Sequence, residues 1–526
     1  MRRTPIFLGV TAALLPVVLS LSAVPASAAG SSLTVTTIGR DGAKVTSHLL
    51  AVDLTTGTQH NFSSGKAHSL PKGTYGLVTD IQSGGSTATD TLAAKVLTVS
   101  GKTTVTFDAR KGKAVKVSVG SSTDSAATDG TIDARVCADG FGPAEIEAGN
   151  NPGDLFVIPS TSKSLSFAYL GDWQGSTTYI ASGATHAGIP SSPGGHFAAS
   201  SMAKLHVQVR ANEEGGTEND IAVQPLPKTN GCQTDLYGTV ADRPAPYSAD
   251  VLVSSGRWQA RDDVFAVQGG GESDIGGGFE TPTAFTAGHS YTEYWNRAAW
   301  GPATWLPETY DHAINFIPDA MISGPTASMG ESAINKATVT LTKAGKLVKK
   351  STLTSYGNGP QGFSAHISKA GWYLLTADAG RYYPGITFPS GLLSKRTVLS
   401  THFYANPAAK PVTAPVFLTG FTPLGLNTSN HAAAHSVTSV DVVAHRPAQG
   451  GNGIPLGKDT VKTIKVWASY DNGKTWYPAG LTHTGSTTWS AKVHNPSSGQ
   501  VSLRSEITDA SGNSSEETVY GAYGIG

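Results

Sequence analysis

Short runs rich in Val, Thr, Ile and Tyr recur along the chain, each broken by Gly, Pro, Asn or Asp, and helical periodicity is nearly absent after the first 28 residues. Leu33-Thr34-Val35-Thr36-Thr37-Ile38 predicts a strand that Arg40-Asp41-Gly42 turns. Val96-Leu97-Thr98-Val99 and Thr104-Val105-Thr106-Phe107-Asp108 predict two more, joined through Ser100-Gly101. In Val461-Lys462-Thr463-Ile464-Lys465-Val466-Trp467, Ile464 and Val466 share one face and Lys465 points to the other, the signature of a half-buried strand. Ala203 to Arg210 alternates in the same way. Such patterning predicts stacked sheets, not alternating strands and helices.

The turns between these runs say more. Ser469-Tyr470-Asp471-Asn472-Gly473-Lys474-Thr475-Trp476 predicts a tight hairpin. Asp471 caps the turn by accepting backbone N–H bonds, Gly473 takes the positive φ, and Trp476 anchors the ribbon. Asp509-Ala510-Ser511-Gly512-Asn513 predicts a second turn before the final strand. Together they indicate an Ig-like or fibronectin-like module. Near the start, Leu70-Pro71-Lys72-Gly73-Thr74-Tyr75 leads into Leu77-Val78-Thr79 and resembles the carboxypeptidase regulatory-like (transthyretin-like) sandwich. There the tyrosine ring packs while its hydroxyl is expected to stay in water. Lys72 to Asp80 is echoed by Ala370-Gly371-Trp372-Tyr373-Leu374-Leu375-Thr376-Ala377-Asp378. The echo is either convergent strand-entry chemistry or a sign of two modules of one kind.

The expected fold is therefore all-β, with several sandwich modules in tandem. The expected divisions are a leader at 1–28, a carboxypeptidase-regulatory-like sandwich at 31–120, a central β domain at 121–325, a sandwich at 326–410 and an Ig/fibronectin-like module at 411–526. The central part is the least regular. Its Gly269-Gly270-Gly271 and Gly276-Gly277-Gly278 runs lack the Lys-Ser/Thr and helix start of a phosphate-binding loop, so a flexible surface loop is expected there. Tyr291-Thr292-Glu293-Tyr294-Trp295-Asn296, Trp300 and Trp305 form an aromatic cluster. Such a cluster caps a sandwich core or, alternatively, offers Trp295, Trp300 and Trp305 as a carbohydrate-stacking face.

Composition sets the compartment. Arg2 and Arg3, the apolar run Ile6 to Leu21, Pro25 and Ala26-Ser27-Ala28 read as an export signal with an A-x-A cleavage site. No later segment is apolar enough to span a membrane, and no wall-sorting motif is expected at Gly526. Cleavage after Ala28 leaves 498 residues with 36 basic and 38 acidic side chains, a net charge of −2. Near-neutrality argues against nucleic acid or anionic lipid as partner. Charged residues are 14% of the chain, against roughly 25% in an average domain, and Ser, Thr and Gly take their place. The two cysteines, Cys137 and Cys232, predict one disulfide in an oxidising compartment. They cannot alone build a four-ligand zinc site.

A wider resemblance rests on Leu426-Asn427 with Asn430, the Ser469 to Trp476 hairpin, Val493-His494-Asn495-Pro496, Val501-Ser502-Leu503-Arg504 and Thr508 to Asn513. Upstream, Thr104 to Arg110 and Tyr291 to Pro302 fit the same pattern. This set resembles the non-catalytic C-terminal region of large secreted subtilisin-like serine proteases of actinobacterial type. The resemblance implies accessory β-modules, here without the protease domain. No Asp-Ser/Thr-Gly and no His-Gly-Thr motif accompanies it. Ala199-Ser200-Ser201-Met202-Ala203-Lys204-Leu205-His206-Val207 imitates the third protease motif but replaces its Gly, Thr and Pro. Ser201, without a base and an orienting carboxylate, is expected to be a surface hydroxyl.

Other constellations favour structure over chemistry. Ser469 to Trp476 satisfies the sialidase Asp-box pattern, which is structural even in glycosidases. His431 and His435 lack the intervening Glu of a zincin, although His445 is a third candidate ligand. Asp509 and Asn513 offer too few oxygens for calcium. The expectation is a secreted extracellular protein with no catalytic residues, metal or cofactor. Its expected partner is another extracellular protein or a polysaccharide, with no nucleic acid, and no membrane once the signal is removed. An active hydrolase of the serine peptidase type with an unrecognised site is the competing reading.

Overall fold

The computed structural model describes residues 31–84, 88–120, 130–140, 144–175, 177–211, 217–226, 232, 235–268, 271–303, 306–325, 332–355, 362–407, 410–446 and 460–526. The leader expected at 1–28 and Trp305 lie outside the described residues. Strands dominate what is described, and the only helical turns there are three-residue segments such as Ala199–Ser201. The protein is all-β and built of tandem β-sandwich modules.

The first sandwich follows from the alternation at its start. Leu33 and Val35 of Ser32–Ile38 point inward, and their strand pairs in parallel with Lys102–Asp108. The facing six-stranded sheet runs in the order Gln59–Ser63, His48–Asp53, Gly73–Ser83, Thr89–Val99, Leu155–Val157, Lys113–Ala114. Leu33, Val35, Leu49, Leu77 and Phe107 fill the space between them. The second face of the six-stranded sheet is covered as well. Val52, Val78 and Leu92 share a core with Ile132, Val136 and Phe167 of the next sheet. Gly76 permits this approach, since a Cβ there would sit 2.6 Å from the Ala138 Cβ. Leu155–Val157 adds to the first unit's sheet from beyond residue 121, so chain exchange as well as packing joins the two units.

Tyr75 corrects one expectation. Its ring is fully buried and its hydroxyl, instead of facing water, donates to the Pro71 carbonyl four residues back at 3.0 Å. The sequence echo repeats the device: buried Tyr373 donates to the Lys369 carbonyl at 2.6 Å. Each tyrosine opens a strand of 11 residues, Gly73–Ser83 and Gly371–Arg381. A buried hydroxyl needs a partner, and the carbonyl of the preceding turn supplies it locally.

The central part holds a seven-stranded sheet ordered Ala144–Asn150, Gly130–Ala138, Leu165–Trp173, Thr178–His186, Tyr247–Ser254, Met202–Val209, Ser290–Trp295. A six-stranded sheet, led by Gly238–Pro244, Thr217–Pro225, Gly256–Gln268 and Gly271–Phe279, packs beside it. Cys137 and Cys232 form a disulfide with Cα atoms 5.7 Å apart, inside the core shared with Leu205, Val223 and Trp258. The glycine run expected as a loop is a strand from Gly271 on, while Gly269 and Gly270 lie outside the described residues. A Cβ at Gly277 would meet the Asp262 carbonyl oxygen at 2.3 Å, so here glycine serves close strand approach.

In the last third, one nine-stranded sheet carries Lys346–Thr354, Asn335–Lys343, Gly371–Arg381, Arg396–Ala405, Ser514–Ile525, Gly499–Asp509, Val461–Ser469 and Tyr477–Pro478, with His431–Ala432 on a side branch. It runs without a break across residue 411, because Arg396–Ala405 pairs with Ser514–Ile525 from Arg396–Tyr520 to His402–Ser514. Two four-stranded sheets cover its inner face, one containing Ala313–Phe316 and Phe363–His366, the other Leu418–Pro423 and Val437–His445.

Candidate functional site

The Ser469 hairpin is held by its own polar atoms. Asp471 Oδ1 accepts from the backbone N–H of Lys474 (3.0 Å) and Thr475 (2.8 Å) and from Ser469 Oγ (2.8 Å). Those bonds hold the Asp471 carboxyl down at about 2. Gly473 has φ +83°, and Ser469 Oγ accepts from its N–H at 2.9 Å. Trp476 is half-buried, with the Arg504 guanidinium 4.7 Å from its ring centre and 4.8 Å from that of Trp467.

Trp295 and Trp300 require a correction. Both are buried, at 0% and 3% exposure, and neither offers a ring to a ligand. Parallel pairing with Met202–Val209 turns Trp295 into the disulfide core. Trp300 lies in the core of the next unit, with the Arg381 guanidinium 4.7 Å from its ring centre. A carbohydrate-stacking face made from these tryptophans is ruled out.

Ser201 ends a helical turn on the surface, and its Oγ donates to the Ala198 carbonyl at 2.7 Å. The nearby His206 does meet a carboxylate, Asp250, at 2.5 Å. But five positions of extended chain separate Ser201 from His206, about 16 Å, so the three cannot form a triad. His431 pairs with Gly524 at a sheet margin, whereas His445 lines a small crevice with Thr419 and Phe421. Burial lowers His445 to about 4 and keeps it neutral. Among the described residues, no three His, Cys, Asp or Glu side chains gather as metal ligands. Both Asp509 oxygens are engaged: Oδ1 accepts from the N–H of Ser511 and Asn513, and Oδ2 meets Arg446 at 3.3 Å.

Sequence reasoning named Asn430 only as a landmark of the resemblance and missed that it joins the units. Asn430 is buried, with φ +56°. Its Nδ2 donates to the carbonyls of Ala211 (3.0 Å) and Asn296 (2.7 Å), and its Oδ1 accepts from Ala298 N–H (3.1 Å) and Arg210 Nη1 (3.3 Å). Asn296 Nδ2 continues the chain, donating to the Arg210 carbonyl at 3.1 Å and to Asn219 Oδ1 at 3.3 Å. Asn219 Nδ2 in turn donates to both oxygens of buried Asp262, each at 2.9 Å. One run of buried amides thus ties the central sheets to the C-terminal unit. An Asn-rich turn, Asn427 to Asn430, was the available signal, but its partners lie far off in sequence.

The outer face of the nine-stranded sheet carries exposed rings. Trp372 (39% exposed) and Tyr404 (54%) are direct cross-strand partners. The Trp372 ring stacks on His402 at 4.9 Å and 16°, and Tyr404 stands at 79° to it with centres 5.9 Å apart. Leu374, 39% exposed, is paired with His402. Thr342, Thr376, Ser400 and Ser514 occupy the same face around them.

Several carboxyls elsewhere are pushed up by burial: Asp133 and Asp220 to about 7, Glu293 to about 7 and Asp172 to about 6. Neighbouring acids add to the shift: Glu147 for Asp133, Asp242 for Asp220 and Glu280 for Glu293. Burial and then Asp90 raise Asp80 in the same way. A raised carboxyl holds its proton in the fold, so its stabilising contribution is complete below about pH 4 and is lost as pH rises through the folded value. His445 acts oppositely, since its contribution is lost as pH falls below about 6.5. The lowered Asp108 and Asp471, both about 2, matter only in stronger acid. The carboxyls outweigh the single histidine, so the melting midpoint should be at least about 5 °C higher at pH 5.5 than at pH 8. Scanning calorimetry at the two pH values checks this, and an equal or lower midpoint at pH 5.5 contradicts it.

No family model matches the chain, and no curated protein does. Solved structures give remote similarities. The Bacillus anthracis TIE protein is 7% identical over 50% of each chain, with a TM-score of 0.12, so the match spans half of that protein's length. The FN1–FN3 domains of chicken CNTN1 are 10% identical, with 61% of this chain and 96% of that one covered and a TM-score of 0.12. Salmonella alpha-2-macroglobulin is 9% identical over 93% of this chain and 39% of that one, with a TM-score of 0.18. At such scores these likenesses say nothing about activity. What the fold defines is a class: a multi-module β protein. Among its described residues, no helix is long and apolar enough to cross a membrane.

Proposed function

We propose that this is a secreted, non-catalytic extracellular binding or structural protein, related to the accessory modules of subtilisin-like proteases. The observation that carries the reading is the buried amide run through Asn430, which fixes the central sheets against the C-terminal unit. Fixed orientation suits a scaffold that presents a surface, whereas modules that merely tether an enzyme need no such bonding. The leader-like start, the disulfide and the hydroxyl-rich, weakly charged composition support an extracellular setting.

Hydrolysis of a fluorescent casein by the purified mature protein tests this, with Ser201→Ala beside it. Neither protein should release fluorescence above buffer. Activity lost in the variant would make the imitation motif a real nucleophile, and activity retained through repurification would reveal another; either overturns the proposal.

A further inference from the structure

We infer that the surface around Trp372, His402 and Tyr404 is a binding site for a neutral polysaccharide. The inference rests on reading the protein as a binding protein and gives that reading a ligand class. Alternation on Gly371–Arg381 and Arg396–Ala405 buries Tyr373, Leu375 and Phe403 and leaves the even-numbered side chains outward. A solvated sheet face ordinarily takes polar residues at such positions. Here an indole, an imidazole and a phenol stand together instead.

The geometry is that of a floor and a wall. His402 backs one face of the Trp372 ring at 4.9 Å, and Tyr404 stands nearly perpendicular beside it. On the far side the rim is kept low by Gly512, at φ +89°, where a Cβ would come within 3.7 Å of the indole. Sugar rings present C–H faces that stack on aromatic rings and hydroxyl edges that hydrogen-bond. The surrounding Thr342, Thr376, Ser400 and Ser514 supply hydroxyls for those edges. Charge selects among polymers. The rings and these hydroxyls carry no fixed charge, and the one exposed carboxylate beside them, Glu516, partnered with Ser400, repels an acidic peptide or anionic glycan, so the patch is matched to an uncharged chain. The sheet continues past Ser514 to Thr508 and Thr463 in the same cross-strand row, which suits an extended polymer.

Native affinity electrophoresis of the mature protein tests the site, in gels holding laminarin, mannan, dextran or soluble starch, with pull-down on microcrystalline cellulose and chitin. Hyaluronan and gelatin serve as anionic and protein arms. At least one neutral glycan should retain the protein. Trp372→Ala and Tyr404→Ala should each weaken retention by about tenfold or more, with melting midpoints unchanged. Trp372→Phe, which keeps a ring, should keep most of it, and Tyr477→Ala, altering an exposed ring at the distant hairpin, should keep all of it. No retention by any neutral glycan, retention only by hyaluronan or gelatin, or retention indifferent to Trp372→Ala would each overturn the inference. Failure here without casein hydrolysis removes the glycan site alone, while hydrolysis removes the non-catalytic reading whatever the gels show.

Discussion

Replacing Cys137 and Cys232 together by alanine should lower the stability of the mature protein by about 3–5 kcal/mol. The bond closes a loop with a sequence separation of 95, and a loop near that length is restrained in the unfolded chain by up to about 4.7 kcal/mol in the chain-entropy model. Both cysteines are also core residues, 3% and 2% exposed, among Leu170, Leu205 and Leu236. Alanine leaves no buried hydroxyl without a partner, so the loss measures the crosslink and a small packing defect. The melting midpoint should fall by roughly 10 °C, and reductant should produce a similar fall in the natural protein but none in the variant. A variant as stable as the parent would show that the central unit does not depend on the bond.

Asn430→Ala should cost about 3–5 kcal/mol. It removes two donors and an acceptor at once, leaving the carbonyls of Ala211 and Asn296 and the Ala298 N–H buried without that partner. Alanine also fits φ +56° less well than asparagine, which visits the left-handed region routinely. Asn430→Asp should cost at least as much, because a carboxylate would face the two carbonyls that the amide now serves. Denaturant unfolding followed by tryptophan fluorescence checks both variants. A loss below about 1 kcal/mol in each would show that the amide run is incidental to the joint.

What the sequence disclosed and concealed divides by distance along the chain. The Ser469 hairpin was legible because Asp471 and Gly473 act on backbone within a few residues of themselves. The strands at Leu33 and Ile464 were legible because alternation is local. Trp295 was not, because only the pairing of Ser290–Trp295 with a strand some ninety residues earlier decides which way its ring turns, and Trp300 was not, because the core that takes it is built by residues such as Leu375 and Phe403, far along the chain. The same holds for Trp372 and Tyr404, whose exposure depends on how the nine-stranded sheet is covered. Asn430 was hidden most deeply, as its partners Arg210 and Ala211 lie 220 and 219 residues away. Gly277 was misread because glycine marks a loop and a close strand contact alike.

The joint at Asn430 ties the central sheets to the C-terminal unit, and small-angle X-ray scattering of the purified mature protein tests most directly whether it fixes them. A single rigid arrangement with the central sheets fixed against the C-terminal unit should reproduce the profile, and Asn430→Ala should broaden it. If the natural protein's profile requires an ensemble of independently oriented modules, the rigid scaffold is contradicted.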